Sequence, residues 1–185
     1  MPTPTHVFTI GHSDRTIEAF LSLLQDHAVE LLVDVRTVPR SRHNPQFNAD
    51  ALSESLRAAA IGYLAAPDLG GWRRPAPDSP NMGWRNVSFR GYADAMMTPG
   101  FDASLRAMLE QVGSRRSALV CSEAVPWRCH RSLIADALTV RGITVEHIIG
   151  PLKPQLHVLR SFAHVDGTTI TYPCDGSDAT ESHPG

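Results

Sequence analysis

The chain has 185 residues, 42% hydrophobic and 19% charged, with a formal net charge of −2, enough for one globular domain with a full apolar core. This acidic balance excludes the wholesale electrostatic grip on nucleic acid that a strongly basic face provides. No apolar run approaches the ~20 residues of a membrane span.

"HVFTIGHS" reads as a short strand closed by Gly11. "TIEAFLSLLQDH" follows with Ile17, Phe20, Leu21 and Leu24 at helical spacing, capped by Thr16 or Asp14. "VELLVDVR" is a nearly continuous apolar run, suited to a strand buried on both faces of a parallel sheet. "RTVPRSRHNPQFN" is a loop punctuated by Pro39 and Pro45. Asn48 is placed to cap a second helix, "ADALSESLRAAA", and "IGYLAAPDLGG" gives a strand and a turn. Residues 72–87, "WRRPAPDSPNMGWRNV", form a long irregular loop, the kind that in compact domains usually carries function or disorder. "FRGYADAMMTPGFDASLRAMLEQVG" is helical with a break around Pro99 and Gly100. "SALVC" is a strand, "RSLIADALTVRG" a helix stopped by Gly142, and "ITVEHIIG" another strand. "HVLRSFAHVDGTTITYP" predicts a β-hairpin turning at Asp166-Gly167, and "CDGSDATESHPG" a mobile tail.

The alternation predicts an α/β fold: one mainly parallel sheet with helices on both faces, three layers of Rossmann-, flavodoxin- or rhodanese-like type. Residues 1–152 are expected to form this domain, and 153–185 the hairpin and tail. The opening "MPTPTHVFTIG" has no basic segment leading a long apolar stretch, so no secretory signal is expected. With three cysteines, the expectation is a cytoplasmic protein with free thiols.

In such sheets ligands bind beyond the carboxyl ends of the strands. That rule gathers His12, then Asp34 and Arg36, then Tyr63, then Cys121 and Glu123, and finally Cys129, His130 and Arg131 at one rim. A helix N-terminus is a natural anion site. Arg128 and Arg131 beside one point to a phosphate-bearing ligand; the alternative is that they pair with Glu123, Asp34 or Asp136. Lys153 is the only lysine among 17 basic residues. Coding bias accounts for much of that skew. The positions say more: Arg36, Arg40, Arg42, Arg73, Arg74, Arg85, Arg90, Arg128 and Arg131 fall at predicted strand ends or in loops, and guanidinium suits phosphate and carboxylate recognition.

Cys121 stands where a nucleophile would, near arginines and a helix N-terminus that lower a thiol pKa. A buried, inert cysteine at a core strand end is the common alternative. Cys121, Cys129 and His130 lack the spacing of a zinc site, so no metal is expected. His12 is either an acid–base group or a core histidine. Asp34 and Arg36 share a strand face and either hold a ligand between them or hold each other. Trp72, Trp84, Phe89 and Tyr92 border the long loop, where they stack on a planar base or pack into the core.

The motifs "TIGHS", "LLVDVRTVPRSRHNPQF", "YLAAPDLGG", "FRGYADAMMTPGF" and "ALVCSEAVPWRCHRSLIADAL" resemble, in order, the DUF488 family of uncharacterised bacterial and archaeal proteins, over roughly residues 6–150. The resemblance implies a compact α/β domain whose motif residues share a site. Cys121, Glu123, Cys129, His130 and Arg131 match the family's C-x-E-x-x-x-x-x-C-H-R loop. "LLVDVR" and the strand–Cys-loop–helix unit are also similar in rhythm to rhodanese-like domains. The loop departs from those domains in its length and in carrying Pro126-Trp127.

The leading expectation is a small hydrolase or transferase that binds a small anionic ligand such as a nucleotide or a nucleic-acid end. Arg128 and Arg131 hold the anion, Arg36 and Arg42 close around it, Glu123 or His12 moves protons, and Tyr63 or Trp72 forms a wall. Alternatives are thiol-dependent sulfur or phosphoryl transfer through Cys121 or Cys129, and a non-catalytic sensor or nucleic-acid-binding module. Neither G-x-G-x-x-G nor G-x-x-x-x-G-K-[ST] is present, so no cofactor is expected.

Overall fold

The computed structural model describes residues 4–174; most of the expected mobile tail lies outside them. The sheet has six strands in the order β3-β2-β4-β1-β5-β6. Strands β1 (His6–Gly11), β2 (Leu31–Asp34), β3 (Gly62–Ala65), β4 (Ser117–Cys121) and β5 (Thr144–Ile148) run parallel. Every residue of β2 and β4 is buried, as a sheet covered on both faces requires.

Helices α1 (Ile17–Asp26) and α2 (Ala49–Ala58) cover one face, where Phe20, Leu24, Leu52 and Leu56 pack on Phe8, Ile10, Leu32 and Val120. Helices α3 (Val87–Met96), α4 (Pro99–Val112) and α5 (Arg131–Thr139) cover the other, with Leu105, Met108, Leu133 and Ile134 on Val7, Val33 and Leu119. Successive residues of β1 thus serve opposite cores, the period-two signature of a strand.

The helix boundaries follow from local chemistry. Thr16 caps α1 by accepting from the Ala19 N–H, and Thr98 caps α4 ahead of Pro99, which is where the expected helical break falls. Asn48 precedes α2 but does not cap it: its Oδ1 accepts from the Ser41 N–H at 2.7 Å, tying down the preceding loop instead.

Beyond β5 the chain adds β6 (Gln155–Leu156), antiparallel to β5, and the hairpin β7 (His164–Asp166) and β8 (Thr169–Thr171). The hairpin turns at Gly167 with φ +59°, as the Asp-Gly pair predicts. Strand β6, two exposed residues long, was not expected. The expected division at residue 152 is crossed by packing: Ile170 and Tyr172 are buried in the α3–α5 core. It is also crossed by a buried polar chain. Thr9 Oγ1 lies 2.7 Å from His147 Nδ1, His147 Nε2 lies 2.9 Å from His157 Nδ1, and His157 Nε2 donates to Asp136 Oδ1 at 2.7 Å. Tyr172 donates to the other Asp136 oxygen at 2.6 Å.

No helix among the described residues is long and apolar enough to cross a membrane.

Candidate ligand-binding site

The chain passes from β1 to β2 across the place later taken by β4, so the ends of β2, β4 and β1 lie side by side. Gly11 is in register with Cys121, and Asp34 with Val120. A cleft of about 900 Å³ opens above these ends, bounded by the segment after β2, the long loop beginning at Gly71, the start of α3 and the loop from β4 to α5. This volume lies in the range of small-molecule sites.

Gly11 makes the last of these loops fit. A side chain there would collide with the backbone of Glu123 and Ala124, so only glycine lets the loop cross the end of β1.

The charge of the cleft is lopsided. Arg36, Arg40, Arg73, Arg74 and Arg128 line it, against the single carboxylate of Glu123. Asp34 neutralises Arg36: Arg36 Nε and Nη2 donate to the two Asp34 oxygens at 2.8 and 2.5 Å. Arg73 donates to the Asp68 carbonyl at 2.6 Å. The side chains of Arg40, Arg74 and Arg128 have no hydrogen bond or ion pair among the described residues. Trp72 lines the same cleft with 85% of its surface exposed.

The expected site residues divide into cleft and scaffold. Arg36, Cys121, Glu123, Arg128, Cys129 and His130 line the cleft. His12, Asp34 and Tyr63 stand behind Arg36. The Tyr63 hydroxyl donates to Asp34 at 2.9 Å, and burial together with the Asp34 charge pushes the phenol well up from its usual range. His12 stacks on Phe47 at 4.3 Å. Its Nδ1 donates to the Ser13 carbonyl at 2.8 Å, leaving the Nε2 lone pair for Arg36 Nη1 at 3.3 Å. Burial, assisted by the Arg36 charge, lowers the ring to about 4 against the Ser13 bond, so His12 is neutral at pH 7.

Arg42 is exposed and does not line the cleft. Arg131 is 1% exposed and lies outside the lining. Its Nη2 donates to the Glu123 carbonyl at 2.9 Å, while its Nε and Nη1 have no partner among the described residues. Burial, then repulsion from Arg15, lowers it to about 9. Arg131 therefore braces the loop that carries Glu123.

Cys121 and Cys129 form a disulfide, leaving Cys174 as the free cysteine. The expectation of free thiols is corrected accordingly. The loop leaves β4 at Cys121 and doubles back through a 3-10 turn, Pro126–Arg128, that delivers Cys129 beside it. His130 Nε2 donates to the Val35 carbonyl at 3.0 Å, which turns Nδ1 toward Cys129 Sγ at 3.5 Å. Burial lowers His130 to about 4, opposed by that backbone bond and aided by Arg131. No group of three His, Cys, Asp or Glu side chains that could hold a metal occurs among the described residues.

Sequence reading did not place Arg40, Arg73 and Arg74 in the site, although it marked them as loop arginines. Their clustering depends on the long loop folding back over the β2 end, which no local pattern encodes. Asn86 and Ser88 enter the lining at the start of α3 for the same reason.

A family model, the domain of unknown function DUF488, matches residues 16–138. The chain belongs to the DUF488 family. No curated protein matches it. The match is shorter than the 6–150 expected from the motifs. It takes in α1 through most of α5, and with them every cleft-lining residue. In this DUF488 protein the motif cysteines, Glu123 and His130 converge on one cleft, while β1, β5 and the C-terminal hairpin complete the body that supports it.

Proposed function

We propose that the cleft binds a phosphate-bearing ligand carrying a planar base, a nucleotide or the end of a nucleic-acid strand. The observation that carries this reading is the set of arginines, Arg40, Arg74 and Arg128, which line a shared cleft, make no side-chain hydrogen bond or ion pair among the described residues and outnumber its one carboxylate, Glu123. Clustered cations repel one another and destabilise the empty fold. An anion reverses that cost, and guanidinium offers phosphate two parallel donors at once. Trp72, with 85% of its surface exposed at the cleft, supplies a face for a base, a contact worth about 1–3 kcal/mol.

The same lining serves hydrolysis or group transfer. Glu123 is its only carboxylate and its side chain has no hydrogen bond among the described residues, which leaves it available to move a proton. Arg36, held rigid by Asp34, would stabilise developing negative charge without reorganising.

The test is a thermal-shift titration with a nucleoside 5′-monophosphate, the matching nucleoside and inorganic phosphate. At a hundredfold its dissociation constant, a ligand stabilises by about 2.7 kcal/mol. The nucleotide is expected to raise the melting point most, phosphate less and the nucleoside not at all. The shift is expected to weaken between 50 and 200 mM salt and to vanish in the double variant Arg74→Ala/Arg128→Ala. Equal shifts from nucleotide and nucleoside, or none from any phosphate compound, would remove the reading.

A further inference from the structure

The two sulfurs of the β4–α5 loop have unequal surroundings. Cys121 ends a core strand, and its carbonyl accepts the His12 N–H at 3.0 Å. Cys129 stands two residues before α5, and its Sγ receives the Arg131 backbone N–H at 3.5 Å and faces His130 Nδ1 at 3.5 Å. The His130 ring cannot turn away easily. Its Nε2 is committed to the Val35 carbonyl, and Gly71 lies so close that a Cβ there would stand 2.6 Å from Nδ1. A backbone donor and a helix N-terminus therefore converge on one sulfur, surroundings that favour thiolate, with an imidazole lone pair beside it to receive the thiol proton. Both cysteines line the arginine cleft.

We propose that Cys121 and Cys129 form a thiol–disulfide exchange centre whose partner is an anionic low-molecular-weight thiol or its disulfide. Cys129 is the sulfur that attacks and is attacked, and Cys121 resolves. The preference for an anionic partner rests on the cleft being an anion site, as proposed above; the exchange chemistry does not.

In the reduced protein, Cys129 gives up its proton to solvent by way of His130 Nδ1 and attacks one sulfur of the partner disulfide. The partner's S–S bond breaks, its second half leaves as a thiolate, and that thiolate takes up a proton from solvent. Cys121 then loses its proton to solvent and attacks Cys129 Sγ, releasing the first half of the partner as a second thiol. The protein dithiol gives up two electrons and two protons, and the partner disulfide gains both. The reverse reaction reduces the Cys121–Cys129 bond at the expense of two small thiols.

Cys174 is exposed and free, so the test is made in the full chain carrying Cys174→Ser. The reduced protein is mixed with glutathione disulfide and followed by intact-mass spectrometry. The parent re-forms its internal disulfide with only a transient adduct. With Cys121→Ser added, a mixed disulfide on Cys129 accumulates, whereas Cys129→Ser reacts at least about tenfold more slowly. Equal trapping on Cys121 in the Cys129→Ser variant overturns the assignment of the two sulfurs, and no adduct or closure in any form overturns the proposal. His130→Asn is expected to move the pH–rate profile of Cys129 alkylation by iodoacetamide to higher pH; a purely structural histidine would lower stability and leave that profile in place. Cystamine, a cationic disulfide, separates the two readings. Slower reaction with cystamine than with glutathione disulfide supports both, and equal rates keep the exchange centre while removing the anionic preference.

Discussion

Asp34 carries more structure than any other single side chain at the rim. Its carboxylate accepts from Arg36 Nε and Nη2, from the Arg36 backbone N–H at 3.1 Å and from the Tyr63 hydroxyl. Exposed at only 1%, it compensates a guanidinium that is itself nearly buried. Removing one member of such a pair strands the other charge in a poorly solvated place, at a cost of about 3–5 kcal/mol. Asp34→Asn keeps the shape and removes the charge, so urea denaturation should show a loss of that order, while Tyr63→Phe should cost about 1 kcal/mol. At this scale the sequence was partly legible. Asp34 and Arg36 sit two apart at the end of a run that reads as a strand, so their shared side could be read directly, although β2 itself stops at Asp34. That Arg131 turns inward to the Glu123 carbonyl could not be read, because its direction is set by the crossing of that loop over Gly11 rather than by its neighbours in sequence.

Helix α3 links an element boundary to the cleft. Asn86 caps it, accepting from the N–H groups of Ser88 and Phe89 at 2.9 and 3.2 Å, and both Asn86 and Ser88 line the cleft. Asn86→Ala should therefore cost about 1 kcal/mol of stability, seen as a lower melting point. The same variant should weaken nucleotide binding, because the first turn of α3 forms part of the wall. An Asn86→Asp variant keeps the cap acceptor and should restore stability while binding anions less well, since it adds a negative charge to the lining. The elements themselves were largely legible. Continuous apolar runs announced β2 and β4, and Thr16 and the Pro99 break marked helix ends. Strand β6 was not legible, because two exposed residues pairing with one edge have no hydrophobic pattern to betray them. The Cys121–Cys129 contact was hidden similarly: the 3-10 turn that closes it arises from Pro126 and the packing beneath it, not from cysteine spacing.

The whole molecule holds several imidazoles neutral. His12 and His130 are lowered to about 4 and His147 to about 3, in each case chiefly by burial, with the neighbouring His157 and Arg131 adding to the last. In the unfolded chain each titrates near 6.5. Above that pH neither state binds the proton and the fold keeps its full stability. As pH falls from 6.5 toward 4 the unfolded chain takes up protons that the fold refuses, so stability drops, by up to about 1.4 kcal/mol per pH unit for each ring. Urea midpoints should fall steeply between pH 7 and pH 5, and His147→Gln should flatten that slope while lowering stability at pH 7. A pH-independent midpoint over that range would contradict the burial of these rings. The sheet order carries a consequence for the chain's synthesis. Strand β1 emerges first yet sits between β4 and β5, which end at Cys121 and Ile148. A growing chain must hold this apolar strand without either neighbour until β4, more than a hundred residues later, has been made, and only then close contacts of high sequence separation, which form slowly. Until β4 and β5 arrive to cover it, β1 leaves both of its edges open on the nascent chain, the kind of exposed strand that aggregates.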